Sequence, residues 1–337
     1  VKSHHRIISS IAIDYRPNRP HCAYTSPMSD ARALFDRAQL RRRRERAAEN
    51  WGNHNFLVQE TAIRLVDRLD DISRGFSSTL DLGRNGGEIS AQIAARGDVQ
   101  TLVECDVSPA MLRLSGASSG AQAPRDKKPR IHQLAADEEC LPFADHSFDL
   151  VLSCLALHRV NDLPGTMVQI RRVLRPDGLF LGCFFGGSTL GEMRAAWTEA
   201  EISEEGGASP RIAPFVDIRD AGMLLQRAGF ALPVVDSDTL TVCYENAFDL
   251  MHDLRGMGET NILQGRRAGF TRRATLMRMA DHYQDMFAQE DGRIPASFEI
   301  ITLTAWAPDP SQPKPLEPGS ATSSLADAIG EKDPETP

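Results

Sequence analysis

A hydrophobic strand that closes on an acidic residue and runs straight into a glycine turn, Thr79-Leu80-Asp81-Leu82-Gly83-Arg84-Asn85-Gly86-Gly87-Glu88, constrains this chain more than any other stretch. Glycine permits the tight turn and lets a ligand approach where a side chain would block it, and the helix that follows offers free backbone N–H groups. Dinucleotide sites want G-x-G-x-x-G, but Gly83 is followed here by Gly86 and Gly87, with Asn85 in place of the second glycine. A phosphate-cradling loop wants Lys-Ser or Lys-Thr after its last glycine, and Glu88-Ile89 stands there instead. Glu88 would also repel a pyrophosphate. An acidic strand end before a glycine turn suits a ligand with a positively charged amino-acid portion, as S-adenosylmethionine has.

The turn sits in an alternating series. Strands are expected at Thr79 to Leu82, Gln100 to Cys105, Arg130 to Ala135, Phe148 to Ser153 and Leu179 to Phe185. Helices are expected at Glu88 to Ala95, Pro109 to Leu114 and Leu163 to Leu174, with a polar loop at Ser115 to Lys128. Continuous apolar runs alternating with helices predict a parallel sheet covered on both faces, whose ligand binds beyond the carboxyl ends of the strands. Two helices, Ala31 to Trp51 with Asp30 as N-cap and Phe56 to Leu69, precede the sheet. The first carries the run Arg41 to Arg44, read as a solvated face. Later come helices Leu190 to Glu201 and Arg219 to Ala228, strand Thr239 to Tyr244, a helical stretch Ala247 to Asp291, and strand Phe298 to Trp306. Two late strands around a helical insertion suggest an edge hairpin with a lid between its arms.

The expected domain organisation is an N-terminal extension over residues 1–29, helices over 30–78, a ligand-binding domain over 79–307 with a lid near 245–292, and a Pro-, Ser- and Glu-rich disordered tail over 308–337. The basic extension reads either as a transit peptide or, preferred, as sequence upstream of a natural start at Met28. A net charge of -8 argues against non-specific binding to nucleic acid or anionic membrane, and no apolar run is long enough to span a bilayer. Six scattered cysteines contain no C-x-x-C pair, so reduced, mostly buried thiols are expected rather than zinc or disulfides.

At the second strand end, Glu104-Cys105-Asp106-Val107-Ser108-Pro109 places a carboxylate where it accepts both hydroxyls of a ribose, although a helix N-cap is the competing role. At the third, Asp137 of Ala136-Asp137-Glu138-Glu139 is placed to accept from an adenine amino group. None of the nine histidines has an Asp or Glu two positions later, so no metal site is expected. His158, after the fourth strand, is a candidate base or simply a packing histidine.

The blocks Leu80-Asp81-Leu82-Gly83, Asp106-Val107-Ser108-Pro109-Ala110-Met111-Leu112, Ala136-Asp137 with Leu141-Pro142-Phe143, Ser147-Phe148-Asp149-Leu150-Val151 and Leu174-Arg175-Pro176-Asp177-Gly178 resemble the class I S-adenosylmethionine-dependent methyltransferases. The resemblance implies an α/β Rossmann-like fold: a seven-stranded, mostly parallel sheet with helices on both faces and a helical insertion between the last two strands. It also implies cofactor contacts at Asp81, Gly83, Asn85, Gly87, Asp106, Val107, Asp137, Glu138 and Ser153, with His158 as the catalytic candidate.

A narrower resemblance lies outside that core. Leu157-His158-Arg159-Val160-Asn161-Asp162-Leu163-Pro164, Phe185-Gly186-Gly187-Ser188-Thr189-Leu190, Glu205-Gly206-Gly207, Ser209-Pro210 and Asp253-Leu254-Arg255-Gly256-Met257-Gly258-Glu259-Thr260-Asn261 are similar to the respiratory complex I assembly factor 5 family. Malonyl-carrier-protein methyltransferases of biotin synthesis are the next relatives. The expectation is methyl transfer from S-adenosylmethionine to a protein or carrier-bound acceptor. The alternatives are arginine hydroxylation on a complex I subunit and a non-catalytic assembly role. The implied partners are a protein or acyl-carrier substrate, without nucleic acid or stable membrane insertion, in a bacterial cytoplasm or, alternatively, a mitochondrial matrix. Arg84, Asn85 and Arg159 depart from the methyltransferase pattern of a small residue, a glycine and an aromatic.

Overall fold

A computed structural model describes residues 33–114, 128–267, 269–313 and 320. The expected extension, Asp30 as a cap, nearly all of the Ser115 to Lys128 loop and most of the tail lie outside the described residues.

Helix α1 (Arg37–Ala47) starts later than its sequence suggested, because Asp36 caps it by accepting from the Gln39 amide at 2.8 Å. A short 3-10 segment leads to α2 (Phe56–Asp67). The sheet then builds through β1 (Ser78–Leu82), α3 (Glu88–Arg96), β2 (Thr101–Asp106), α4 (Pro109–Arg113), β3 (Arg130–Ala135), β4 (Phe148–Cys154), α5 (Leu163–Val173) and β5 (Leu174–Phe185). Helices α6 (Gly191–Glu205) and α7 (Ile218–Arg227), strand β6 (Ala231–Tyr244), helices α8 (Ala247–Gly256) and α9 (Arg273–Phe287), and strand β7 (Ile294–Trp306) complete the fold.

The seven strands lie in the order β3-β2-β1-β4-β5-β7-β6. Neighbours among the first five pair in parallel, and β7 runs antiparallel to both β5 and β6. Strand order reverses between β1 and β4, the position at which open α/β sheets leave a crevice for ligands. Alternating residues of the central strands feed two cores. Leu80, Leu82, Val103 and Val151 pack against α5 and α7, while Leu102, Leu150 and Leu152 pack against α2, α3 and α6. Burial on both faces explains why these strands read as unbroken apolar runs.

The late strands are longer than the sequence suggested. β6 begins at Ala231 rather than near Thr239, because its centre is the polar run Asp236-Ser237-Asp238 of an edge strand. Arg68 meets Asp236 at 2.6 Å and Arg64 meets Asp238 at 2.6 Å, which supplies the partners that make a strand of polar residues tenable. The helical stretch between β6 and β7 is two helices, with a non-helical passage through Gly258 and Asn261.

Candidate active site

The glycine turn forms around two left-handed glycines, Gly83 at φ 76° and Gly87 at φ 94°, and Asn85 at φ 56°. Asn85 holds that conformation because its side-chain amide donates to the Cys154 carbonyl at 2.8 Å, tying the turn to the end of β4. Gly83 leaves no room for substitution: a Cβ there would fall 2.1 Å from that of Ala156. Trp51 covers Gly86, and its indole N–H donates to Glu88 at 2.6 Å, joined by Asn55 at 2.9 Å. A negative charge is thus built into the turn, which is poor chemistry for a phosphate.

Arg84 turns away from the crevice. It pairs with Glu104 at 2.7 Å and donates to the Met111 and Leu114 carbonyls, anchoring α4. Asp81 ends β1 with one oxygen accepting from Ser90 at 3.1 Å and the other, Oδ1, without a hydrogen-bond partner among the described residues. Burial, reinforced by the nearby Glu104 charge, pushes its carboxyl up to about 8. At neutral pH it is therefore mostly protonated, and a cation beside Oδ1 would favour its ionised form.

The structure brings Asp106, Asp137 and Glu138 to one side of the crevice. The cap of α4 belongs to Ser108, whose hydroxyl accepts from Met111, so Asp106 is not needed there. Asp106 instead accepts from Arg44 Nη2 at 2.6 Å and Nε at 3.3 Å, from the Ser108 amide at 2.8 Å and from the Asn85 amide at 3.2 Å. This corrects the solvated-face reading of Arg41 to Arg44 at its last member, since Arg44 is 1% exposed and Asp106 is fully buried, while Arg41 and Arg42 are exposed. Arg37, two turns earlier on α1, donates to Asp137 at 2.6 Å and also to Glu138. Arg37, Leu40, Arg44 and Ala47 fall on one helical face, and that spacing was the sequence signal for an inward-facing pair of arginines.

Val107 is half-buried directly after Asp106. Ser153 is buried at the end of β4, where its hydroxyl donates to the Leu82 carbonyl at 2.8 Å across the seam between β1 and β4.

Beyond β4, the turn Leu157–Arg159 leads into a cavity of about 250 Å³ walled by α6, α8 and the loop after α6. His158 packs tilted against Phe185 and edge-on against Phe215, at centroid distances of 4.6 and 5.6 Å, and its Nε2 lies 3.2 Å from Glu259. Burial holds the imidazole below its ordinary value, so it is neutral. Facing a carboxylate, Nε2 carries the proton. This leaves Nδ1 as a bare acceptor, with no hydrogen-bond partner among the described residues. Burial would raise Glu259, but Arg159 at 2.9 Å and His158 hold it down to about 2. Arg159 thus fixes Glu259 at the cavity wall. On the opposite wall, the Arg211 guanidinium lies 4.4 Å over the Trp197 ring and pairs with Glu201. Among the described residues, no group of three or more His, Cys, Asp or Glu side chains could hold a metal ion.

Comparison with known proteins places this geometry in context. A family profile described as "Methyltransferase domain" matches residues 80–182, the stretch from β1 to β5. "Arginine-hydroxylase NDUFAF5, mitochondrial" of Danio rerio is 39% identical over 297 residues, covering 87% of this chain and 89% of that protein. "Malonyl-[acyl-carrier protein] O-methyltransferase" of a Methylovorus strain is 33% identical over 275 residues, covering 82% of this chain and 90% of that enzyme. In fold, a crystal structure from Bacillus halodurans, of a protein assigned as a methyltransferase, superposes with a TM-score of 0.52 at 18% identity, over 74% of this chain and all of that one. The residues present fit the cofactor of that fold: the unpartnered Asp81 oxygen suits an ammonium, Asp106 a vicinal diol, and Asp137 with Glu138 an exocyclic amine.

Proposed function

The chain belongs to the family of the NDUFAF5 arginine hydroxylases, built on the S-adenosylmethionine-dependent methyltransferase fold, and on that premise we propose that it modifies an arginine side chain of a protein partner by hydroxylation. One observation carries the reading to the geometry. The cavity beside His158 is lined by the aromatic rings of Phe185, Trp197 and Phe215 and by the Glu259 carboxylate, the kinds of group that receive a guanidinium.

In this reading Asp81, Gly83, Asn85 and Gly87 hold the amino-acid end of the cofactor, Asp106 and Val107 its ribose, and Asp137 and Glu138 its adenine. Ser153 keeps β4 in register beneath them. The cofactor, when bound, would supply an electrophilic methyl group on a sulfonium, which methyl transfer uses and hydroxylation does not. His158 offers a neutral imidazole that accepts a proton at Nδ1 while Glu259, fixed by Arg159, orients the ring. Aromatic residues Phe185, Phe215 and Phe298 exclude water around the acceptor. Hydroxylation exchanges C–H for C–OH, a two-electron oxidation that would take one oxygen atom from dioxygen while an external two-electron donor and two protons reduce the other to water. The protein contributes binding, orientation and proton handling.

A second reading is methyl transfer to a carrier-borne acceptor, supported by the 33% identity to the Methylovorus methyltransferase and by Arg255 at the cavity. Either acceptor is borne on a macromolecule and calls for an aqueous compartment, a bacterial cytoplasm or a mitochondrial matrix. Among the described residues no helix is long and apolar enough to cross a membrane.

Mass spectrometry of respiratory-complex subunits and acyl carriers from cells with and without the gene tests both. Loss of one added oxygen on an arginine-containing peptide supports hydroxylation. Loss of one added methylene supports the second reading, and unchanged spectra overturn both.

A further inference from the structure

The carboxylates that suit a nucleoside are already engaged by the chain's own first helix. A carboxylate offers about four lone-pair sites, and all four on Asp106 are taken by Arg44 Nε, Arg44 Nη2 and the amides of Asn85 and Ser108. Arg44 thus occupies, as a bidentate donor, the two carboxylate oxygens that a vicinal diol would need. Arg37 does the same one subsite on, bridging Asp137 and Glu138 and lying 3.5 Å from Glu139.

The same helix reaches the second cavity. Phe35, just ahead of α1, lines the space beside His158 and exchanges hydrogen bonds with Asn161 at 2.7 and 3.2 Å. It also pairs as a β-bridge with Leu263, and the Asp36 amide donates to the Ile262 carbonyl at 2.8 Å. Helix α1 and the residue pair just ahead of it thus engage the crevice carboxylates through Arg37 and Arg44 and line the cavity beside His158 through Phe35.

We propose that α1 is a latch: nucleoside binding at Asp106 and docking of Arg44 exclude each other, and expulsion of the helix by the cofactor opens the acceptor cavity at Phe35. The inference rests on the cofactor reading above. By linkage, each event weakens the other by the same factor, so the closed latch lowers apparent affinity by the fraction of molecules that are open.

The test measures binding of S-adenosylhomocysteine to the full-length chain by calorimetry, for wild type and Arg44→Gln, together with amide hydrogen exchange over residues 37–47 of the wild type. The latch predicts that Arg44→Gln binds about tenfold tighter or more, and that amides of α1 exchange faster once the wild type is saturated. Equal or weaker binding by Arg44→Gln, or slower exchange in α1 on saturation, overturns the latch. If Arg44→Gln does not fold, the exchange measurement on wild type decides by itself. Binding by neither protein overturns the cofactor reading and the latch with it, whereas binding by the variant alone supports both.

Discussion

Glu259 shows how much of this site depends on single side chains. Its carboxylate sits between Arg159 and His158 and is held down to about 2, against an ordinary 4.5. A carboxylate depressed on folding adds stability that is complete above its unfolded value and is lost as pH falls through the folded one. Glu259→Gln leaves Arg159 buried without its counter-charge, so the variant should lose about 3 kcal/mol near pH 7. Urea denaturation should show that deficit shrinking as the pH falls from about 5 to about 2. A deficit that stays constant over the range would mean that the ion pair is not its source. At this scale the sequence was partly legible. Asp81, Asp106 and Asp137 could be placed because each lies at or just past the carboxyl end of a strand of the alternating series, whereas Arg44 could not, because a run of arginines looks solvated until the helical face is counted. Glu259 was visible only as part of a glycine-flanked loop, since its partners lie a hundred positions earlier in the chain.

Elements repeat the pattern. β1, β2 and β4 were legible because burial on both faces leaves an apolar run, while β6 was truncated because an edge strand keeps polar residues that salt bridges outside its own sequence support. The turn joining β1 to α3 is the least forgiving element. Gly83→Ala meets both a φ of 76° and an Ala156 contact at 2.1 Å, so thermal melts should show a loss of about 2 kcal/mol or more. Gly52→Ala, with nothing within 4 Å of the added carbon, should stay within about 0.5 kcal/mol of wild type. Similar melting of the two variants would show that the turn is not sterically fixed.

Across the whole molecule, a sheet with a switch point between β1 and β4 supplies the crevice we assign to the nucleoside, and the helices after β5 and β6 wall the cavity beside His158 that we assign to the acceptor. The alternation of strands and helices made that division readable in the sequence. The coupling between the two sites was not readable, because it runs through α1, whose contacts reach Asp106, Asn161 and Leu263 across long separations in the chain. A crystal structure of the full-length protein with S-adenosylhomocysteine tests the account most directly. The predicted result places both ribose hydroxyls on Asp106 and the adenine amine at Asp137, with Arg44 withdrawn. A nucleoside bound elsewhere, or Asp106 still paired with Arg44 in the complex, would contradict it.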